Sequence, residues 1–139
     1  MRIYFRNRYN KSIHIIIEVI FLGEDGGWKF YKARVLNVQM TNENINKACQ
    51  IVGLETPCSC SEKKGDTCEI TSQDNCENPM LELSQTLCNG TSPENCPQLA
   101  DVFMHDGKYS CGVIGTEWCA LGKDHYSKYA LCVKPKRKH

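Results

Sequence analysis

Apolar residues recur in three rhythms along this chain. Residues 13–22 form a nearly continuous apolar run broken only by His14 and Glu18. A continuous run rich in Ile and Val suits a buried strand. Glu24-Asp25-Gly26-Gly27 then gives a turn signal. In the next run Trp28, Phe30, Leu36 and Val38 share one face, with Lys32 and Arg34 between them. The pattern predicts a hairpin joining 13–21 to 28–38. The rhythm then becomes helical. Ile45, Ala48, Cys49 and Val52 fall at i, i+3, i+4 and i+7 behind Thr41, a good N-cap. Gly53 supplies a left-handed stop and Leu54 an apolar residue just beyond it. A helix over 42–52 follows, with Cys49 on its buried face.

The stretch from Cys58 to Cys76 is polar and without periodicity, so it reads as a loop held by bridges. Asn78-Pro79 opens a second helix, since Asn caps well and Pro is favoured at the first helical position. Met80, Leu83, Leu87 and Cys88 share a face, and Asn89-Gly90 ends it. Asp106-Gly107 predicts a two-residue hairpin between 102–105 and 108–113. Trp118-Cys119 begins another segment, with Trp118 expected in the core beside a bridged cysteine. Residues 129–133 read as a closing strand. The fold class is α+β: a small disulfide-rich domain with two helices packed on an antiparallel sheet.

The cysteines change this picture most. All ten lie between Cys49 and Cys132: Cys49, Cys58, Cys60, Cys68, Cys76, Cys88, Cys96, Cys111, Cys119 and Cys132. An even number in a chain of 139 residues points to a disulfide framework formed in an oxidising compartment. Cys58 and Cys60 are too close in sequence to pair with each other comfortably. No CxxC occurs, so structural zinc and redox chemistry lose their usual spacing. Pairing all ten cysteines is expected, in a protein that is secreted or the extracellular part of a membrane protein. The organisation expected is an amino-terminal extension at 1–26, a disulfide-rich domain at 27–133 and a basic tail at 134–139. The extension reads as a strand or as a degenerate signal-like segment, since a basic start precedes its apolar run.

Charge narrows the partners. Net charge is +1, which argues against a nucleic-acid binder. Arg2, Arg6, Arg8 and Lys11 begin the chain and Lys134, Lys136, Arg137 and Lys138 end it, while all sixteen Asp and Glu residues lie between. Membrane contact is expected through those ends or not at all. Asn10-Lys11-Ser12 and Asn89-Gly90-Thr91 fit the N-glycosylation pattern, and Asn89, beside a glycine turn, is the better acceptor.

No catalytic motif is present: there is no GxSxG, no phosphate-cradling glycine loop and no HExxH. His105 and His125 lack companions at ligand spacing, and no metal or cofactor is expected. Glu62, Asp66, Glu69, Asp74 and Glu77 match no ordered calcium-loop template. Trp28, Tyr31, Tyr109, Trp118, Tyr126 and Tyr129 are the aromatic candidates for stacking on a sugar or anchoring a partner.

Several segments carry a resemblance: Gly27-Trp28-Lys29-Phe30-Tyr31-Lys32, Met40-Thr41-Asn42 into Ala48-Cys49, Leu87-Cys88-Asn89-Gly90-Thr91-Ser92-Pro93, Glu117-Trp118-Cys119 and Tyr129-Ala130-Leu131-Cys132-Val133. Together they resemble a cysteine-rich extracellular module of invertebrate mosaic proteins. More weakly, residues 40–53 and 129–133 are similar to the first helix and closing strand of C-type-lectin-like and link modules. That likeness implies a bond between Cys49 and Cys132. The lectins' calcium-binding Glu-Pro-Asn or Gln-Pro-Asp triplet is absent, so sugar binding by their route is not implied. The function expected is an extracellular, disulfide-stabilised interaction module that binds a protein or glycan without catalysis. The alternative is a stand-alone secreted effector such as a toxin, antimicrobial or enzyme inhibitor.

Overall fold

The computed structural model describes residues 2–5, 15–58, 68–70 and 78–134, with side chains described within 17–58 and 78–134. The fold is α+β. A mixed, mostly antiparallel sheet runs in the order β1-β2-β3-β9-β6-β7-β8. The strands are β1 (Arg2–Phe5), β2 (Ile15–Asp25), β3 (Trp28–Arg34), β6 (Val102–Met104), β7 (Cys111–Ile114), β8 (Glu117–Leu121) and β9 (Tyr129–Lys134). Two short strands, β4 (Thr56–Cys58) and β5 (Cys68–Ile70), form a separate parallel pair. The helices are α1 (Asn42–Ile51) and α2 (Pro79–Leu87).

The closing strand β9 lies at the centre of this sheet. It pairs antiparallel with β3 and parallel with β6. Its side chains alternate between two cores. Leu131 and Val133 join Trp28, Phe30, Met80, Leu83 and Leu99 on the α2 face. Ala130 and Cys132 join Val19, Ala33, Val35, Ile45 and Cys49 on the α1 face. Burial on both sides explains why 130–133 is apolar without alternation.

Both helices form where local chemistry directs them. The Thr41 side chain accepts a hydrogen bond from the Asn44 N–H at 3.2 Å. At the other end the Leu54 and Gly53 N–H groups donate to the Cys49 and Gln50 carbonyls at 2.9 and 3.0 Å, with Gly53 at φ 76°. That pair of bonds is a Schellman motif. For α2 the Asn78 side chain accepts from the Leu81 N–H at 3.0 Å. Asn89 (φ 53°) and Gly90 (φ 81°) turn the chain away.

The β2–β3 hairpin closes through Gly26-Gly27, with Asp25 paired to Trp28. Residues 15–25 are therefore a strand of the main sheet, and Ile17 and Val19 are buried in the α1-side core. The division expected between 1–26 and 27–133 falls inside this hairpin. Three expectations are corrected. β3 ends at Arg34, and Leu36 and Val38 lie exposed beyond it. Trp118 is only partly buried, packed against the edge of the α2-side core. The two-residue turn at Asp106-Gly107 is a longer connection, 105–110, between β6 and β7. Asn42 reaches from α1 to draw that connection over, donating to the Asp106 carbonyl at 2.6 Å and accepting from its N–H at 3.1 Å.

Ser110 completes this junction by donating from its hydroxyl to the Met40 carbonyl. Gly122 fits beside them because a Cβ there would collide with the Met40 carbonyl oxygen and Ser110 Oγ. No other residue permits so close a backbone approach.

Three disulfides are described: Cys49–Cys132, Cys88–Cys96 and Cys111–Cys119, and Cys58 is also disulfide-bonded. Cys60, Cys68 and Cys76 lie outside the described side chains. Cys49–Cys132 spans 83 residues and the other two span 8 each. Chain-entropy reasoning assigns about 4–5 kcal/mol to the long loop and about 2–3 to each short one. Replacing both Cys49 and Cys132 with Ala should lower the urea midpoint clearly more than replacing both Cys88 and Cys96. Equal losses in non-reducing denaturation would contradict that ranking.

Candidate functional site

Helix α1 carries two adjacent stripes. Ile45 and Cys49 point into the core and are fully buried. Asn44, Lys47, Ala48 and Ile51 form the shoulder beside them, again at i, i+3, i+4 and i+7. This shoulder faces residues Arg34, Val35, Leu36 and Val38 across an open groove of about 370 Å³, with Ile17 also lining it. Ala48 is the smallest side chain on the helical wall and leaves the groove its room.

The opposite wall is held by backbone bonds to residues far away in sequence. Val35 N–H donates to the Lys128 carbonyl at 2.8 Å, and Asn37 N–H donates to Ser127 Oγ at 2.8 Å. Ser127 N–H donates to the Val38 carbonyl at 3.1 Å, and Gln39 bridges to Tyr126. Asn37 takes a left-handed φ of 61°, which Asn tolerates better than most residues. The fixed path leaves Leu36 and Val38 exposed at 45% and 40%, and Ile51 at 50% on the facing helix. Three large apolar side chains on one groove exceed the scattered exposure expected of an ordinary surface.

The charged side chains nearby fall on two faces, Lys47 on α1 and Arg34 and Lys32 with Tyr129 on the α2 side of the sheet. Lys47 forms an exposed pair with Glu43 at 3.0 Å, an i,i+4 contact worth only about 0.3–0.5 kcal/mol. The Arg34 guanidinium stands over the Tyr129 ring at 5.3 Å from its centroid, and the Lys32 ammonium lies 4.9 Å from the same centroid. The Tyr129 hydroxyl donates to the Glu18 carboxylate. Lys32 donates to the Gln98 carbonyl at 3.0 Å. Desolvation pushes the Lys32 pKa down. The hydrogen bond to Glu18 pushes the Tyr129 pKa up.

The residues singled out in the sequence are not gathered here. Trp28 is buried, Tyr31 and Trp118 are half-buried, and only Tyr109 and Tyr126 of the six aromatics are well exposed, at 51% and 58%. Tyr109 stands between Lys108 and Lys123, each 5.7 Å from its ring centroid. His105 is buried, and His125 packs against Phe103 at 5.6 Å. Asp106, Cys111 and Cys119 bring ligand-type atoms within 4.8 Å of one another. Both sulfurs are spent in the Cys111–Cys119 bond, so this cluster offers no thiolate. Asn89 is exposed just past α2. Of the acidic cluster only Glu69 falls within the described backbone, in β5; the others lie outside the described residues, as does Asn10.

Comparison with family models, curated proteins and solved structures finds no match to the chain. Among the described residues no helix is long and apolar enough to cross a membrane. The bonded cysteines are those of a domain matured in an oxidising compartment.

The Tyr129–Glu18 bond sets a measurable titration. A tyrosine whose folded pKa is raised contributes stability that is fully present below about pH 10, its unfolded value. That contribution is lost as pH rises through the folded value. Ultraviolet titration should show one tyrosine ionising above the others, and Glu18→Gln should bring it back among them. An unchanged titration in Glu18→Gln would remove Glu18 as the cause.

Proposed function

We propose that this chain is an extracellular, disulfide-stabilised binding module that engages a protein ligand through the groove between α1 and residues 34–38, without catalysis. One observation carries the reading: Leu36, Val38 and Ile51 stand exposed on a single groove in a domain that closes two cores elsewhere. Leaving such surface in water forgoes about 25 cal/mol for each Å² of apolar area, which a partner recovers on docking.

The disulfide framework supports a secreted or ectodomain location. We read the Cys49–Cys132 bond as support for the lectin-like resemblance of the fold, since that likeness pairs the first helix with the closing strand. The extracellular setting makes Asn89-Gly90-Thr91 a glycan acceptor. Asn89 sits at the end of α2 and is absent from the groove lining, so a glycan there is compatible with docking.

Two measurements test the reading. Small aliphatic and aromatic fragments, titrated into the isotope-labelled protein, should shift the amides of Leu36, Val38, Ala48 and Ile51 together. Ile51→Glu should abolish those shifts while moving stability by no more than about 0.5 kcal/mol, as expected of an exposed position. Shifts scattered over the surface, or centred elsewhere, would reject the groove as the docking site. Separately, secretion from a eukaryotic host should give protein whose mass falls on N-glycosidase treatment, and Asn89→Gln should remove that difference. Loss of the difference only when Asn10 is changed would reassign the acceptor.

A further inference from the structure

The Asn89-Gly90-Thr91 sequon lies inside the loop that the Cys88–Cys96 bond closes. We propose that Asn89 accepts its glycan only while that bond is open, so that glycosylation and disulfide closure compete for the same segment. This rests on Asn89 being a glycan acceptor, and it adds what decides whether the acceptor is used.

The closed loop hides one half of the recognition pattern. An N-glycosylation acceptor is defined by an asparagine together with a Ser or Thr hydroxyl two residues on. The transferring enzyme therefore reads both side chains. Asn89 is exposed, but Thr91 Oγ1 is buried. The chain between them is wound tightly, with Asn89 and Gly90 both left-handed at φ 53° and 81°. The Gly90 N–H donates to the Gln85 carbonyl at 3.0 Å, and the Thr91 N–H donates to the Cys88 carbonyl at 3.3 Å. These bonds tie the sequon back onto the end of α2, and lifting Thr91 into an enzyme breaks them.

The disulfide is the latch on this arrangement. Cys96 is buried in the α2-side core, and Cys88 packs against that core. Pro93, between the sequon and Cys96, is also buried. The rest of the loop is a single 3-10 turn, Pro93–Asn95. So short a turn has little stability of its own and opens locally unless its ends are held. The bond from Cys88 to Cys96 holds them. Timing gives the enzyme its opening. Cys96 follows Thr91 by five residues, so about 0.25–1 s separates their synthesis at about 5–20 residues per second. Disulfide formation then takes seconds or longer. The sequon is open during that interval and closed afterwards.

The two reactions draw on different reagents. In glycosylation the Asn89 amide nitrogen bonds to the anomeric carbon of a lipid-diphosphate-linked oligosaccharide. The sugar–phosphate bond breaks, the lipid diphosphate leaves and the amide proton passes to a base. In closure the Cys88 and Cys96 thiols give two protons and two electrons to an exchanging disulfide, which is reduced to two thiols. Neither consumes the other's reagent, so the competition is one of access. A glycan already attached does not prevent closure, because Asn89 is exposed in the closed loop.

The test presents the full chain, made without glycan and carrying Asn10→Gln so that only Asn89 reports, to a purified oligosaccharyltransferase with its lipid-linked donor. The readout is the mass gained and its removal by N-glycosidase. The folded, oxidised chain should stay unmodified, and the reduced, unfolded chain should gain one glycan. Oxidised chain carrying Cys88→Ser with Cys96→Ser should also gain it. Oxidised chain carrying Cys111→Ser with Cys119→Ser, which loses a bond of the same span elsewhere, should stay unmodified. Equal modification of the oxidised and reduced chains would overturn the inference and leave Asn89 as an acceptor. So would resistance of the Cys88/Cys96 variant, which would assign the block to packing, or modification of the Cys111/Cys119 variant, which would assign it to general loosening. Refusal of the reduced chain would remove Asn89 as an acceptor and take the inference with it.

Discussion

Cys132 lies on the central strand of the sheet, which contributes to both cores. β9 has Leu131 and Val133 on the α2 side and Ala130 and Cys132 on the α1 side. Each core therefore includes residues of the same short segment. The bond from Cys132 to Cys49 fixes α1 against this strand. Thr56 adds a second tie, donating to the Asn46 side chain at 2.9 Å as the chain leaves the helix. With α1 held in position and rotation, its two stripes have different fates. One is committed to the core, and the neighbouring one is left facing outward.

The groove follows from that commitment. A helix pinned through Ile45 and Cys49 cannot roll to cover Ala48 and Ile51. The facing segment cannot move in to meet them either, because Val35, Asn37 and Val38 are bonded to residues 127 and 128. Both walls are rigid, and the apolar surface between them is preformed. Preorganisation of this kind lowers the ordering cost of association.

What the sequence revealed depended on range. Both helices were legible because their caps and stripes lie within a few residues: Thr41 with Asn44, Gly53 with Gln50, Asn78 with Leu81. The hairpin at Gly26-Gly27 was legible for the same reason. The Asp106-Gly107 turn misled because Asn42, more than sixty residues away, draws that connection over the start of α1. Leu36 and Val38 read as strand because alternation alone does not show where pairing stops. Their actual setting depends on Ser127, ninety residues on. The groove was not legible at all, since it belongs to no single element. Ile51 left a faint signal: it is a large apolar residue just off the buried stripe of its own helix.

The central place of β9 also has a consequence for the order of synthesis. Described neighbours β3 and β6 share no pairing until β9 lies between them. Made from its amino end, the chain holds two half-built cores until residues 129–133 emerge. The short bonds, Cys88–Cys96 and Cys111–Cys119, have both partners available well before that moment. The long one does not, and Cys49 must wait unpaired or borrow a partner while most of the domain is made. Isomerase access to that thiol, more than oxidant supply, would then set the pace of maturation.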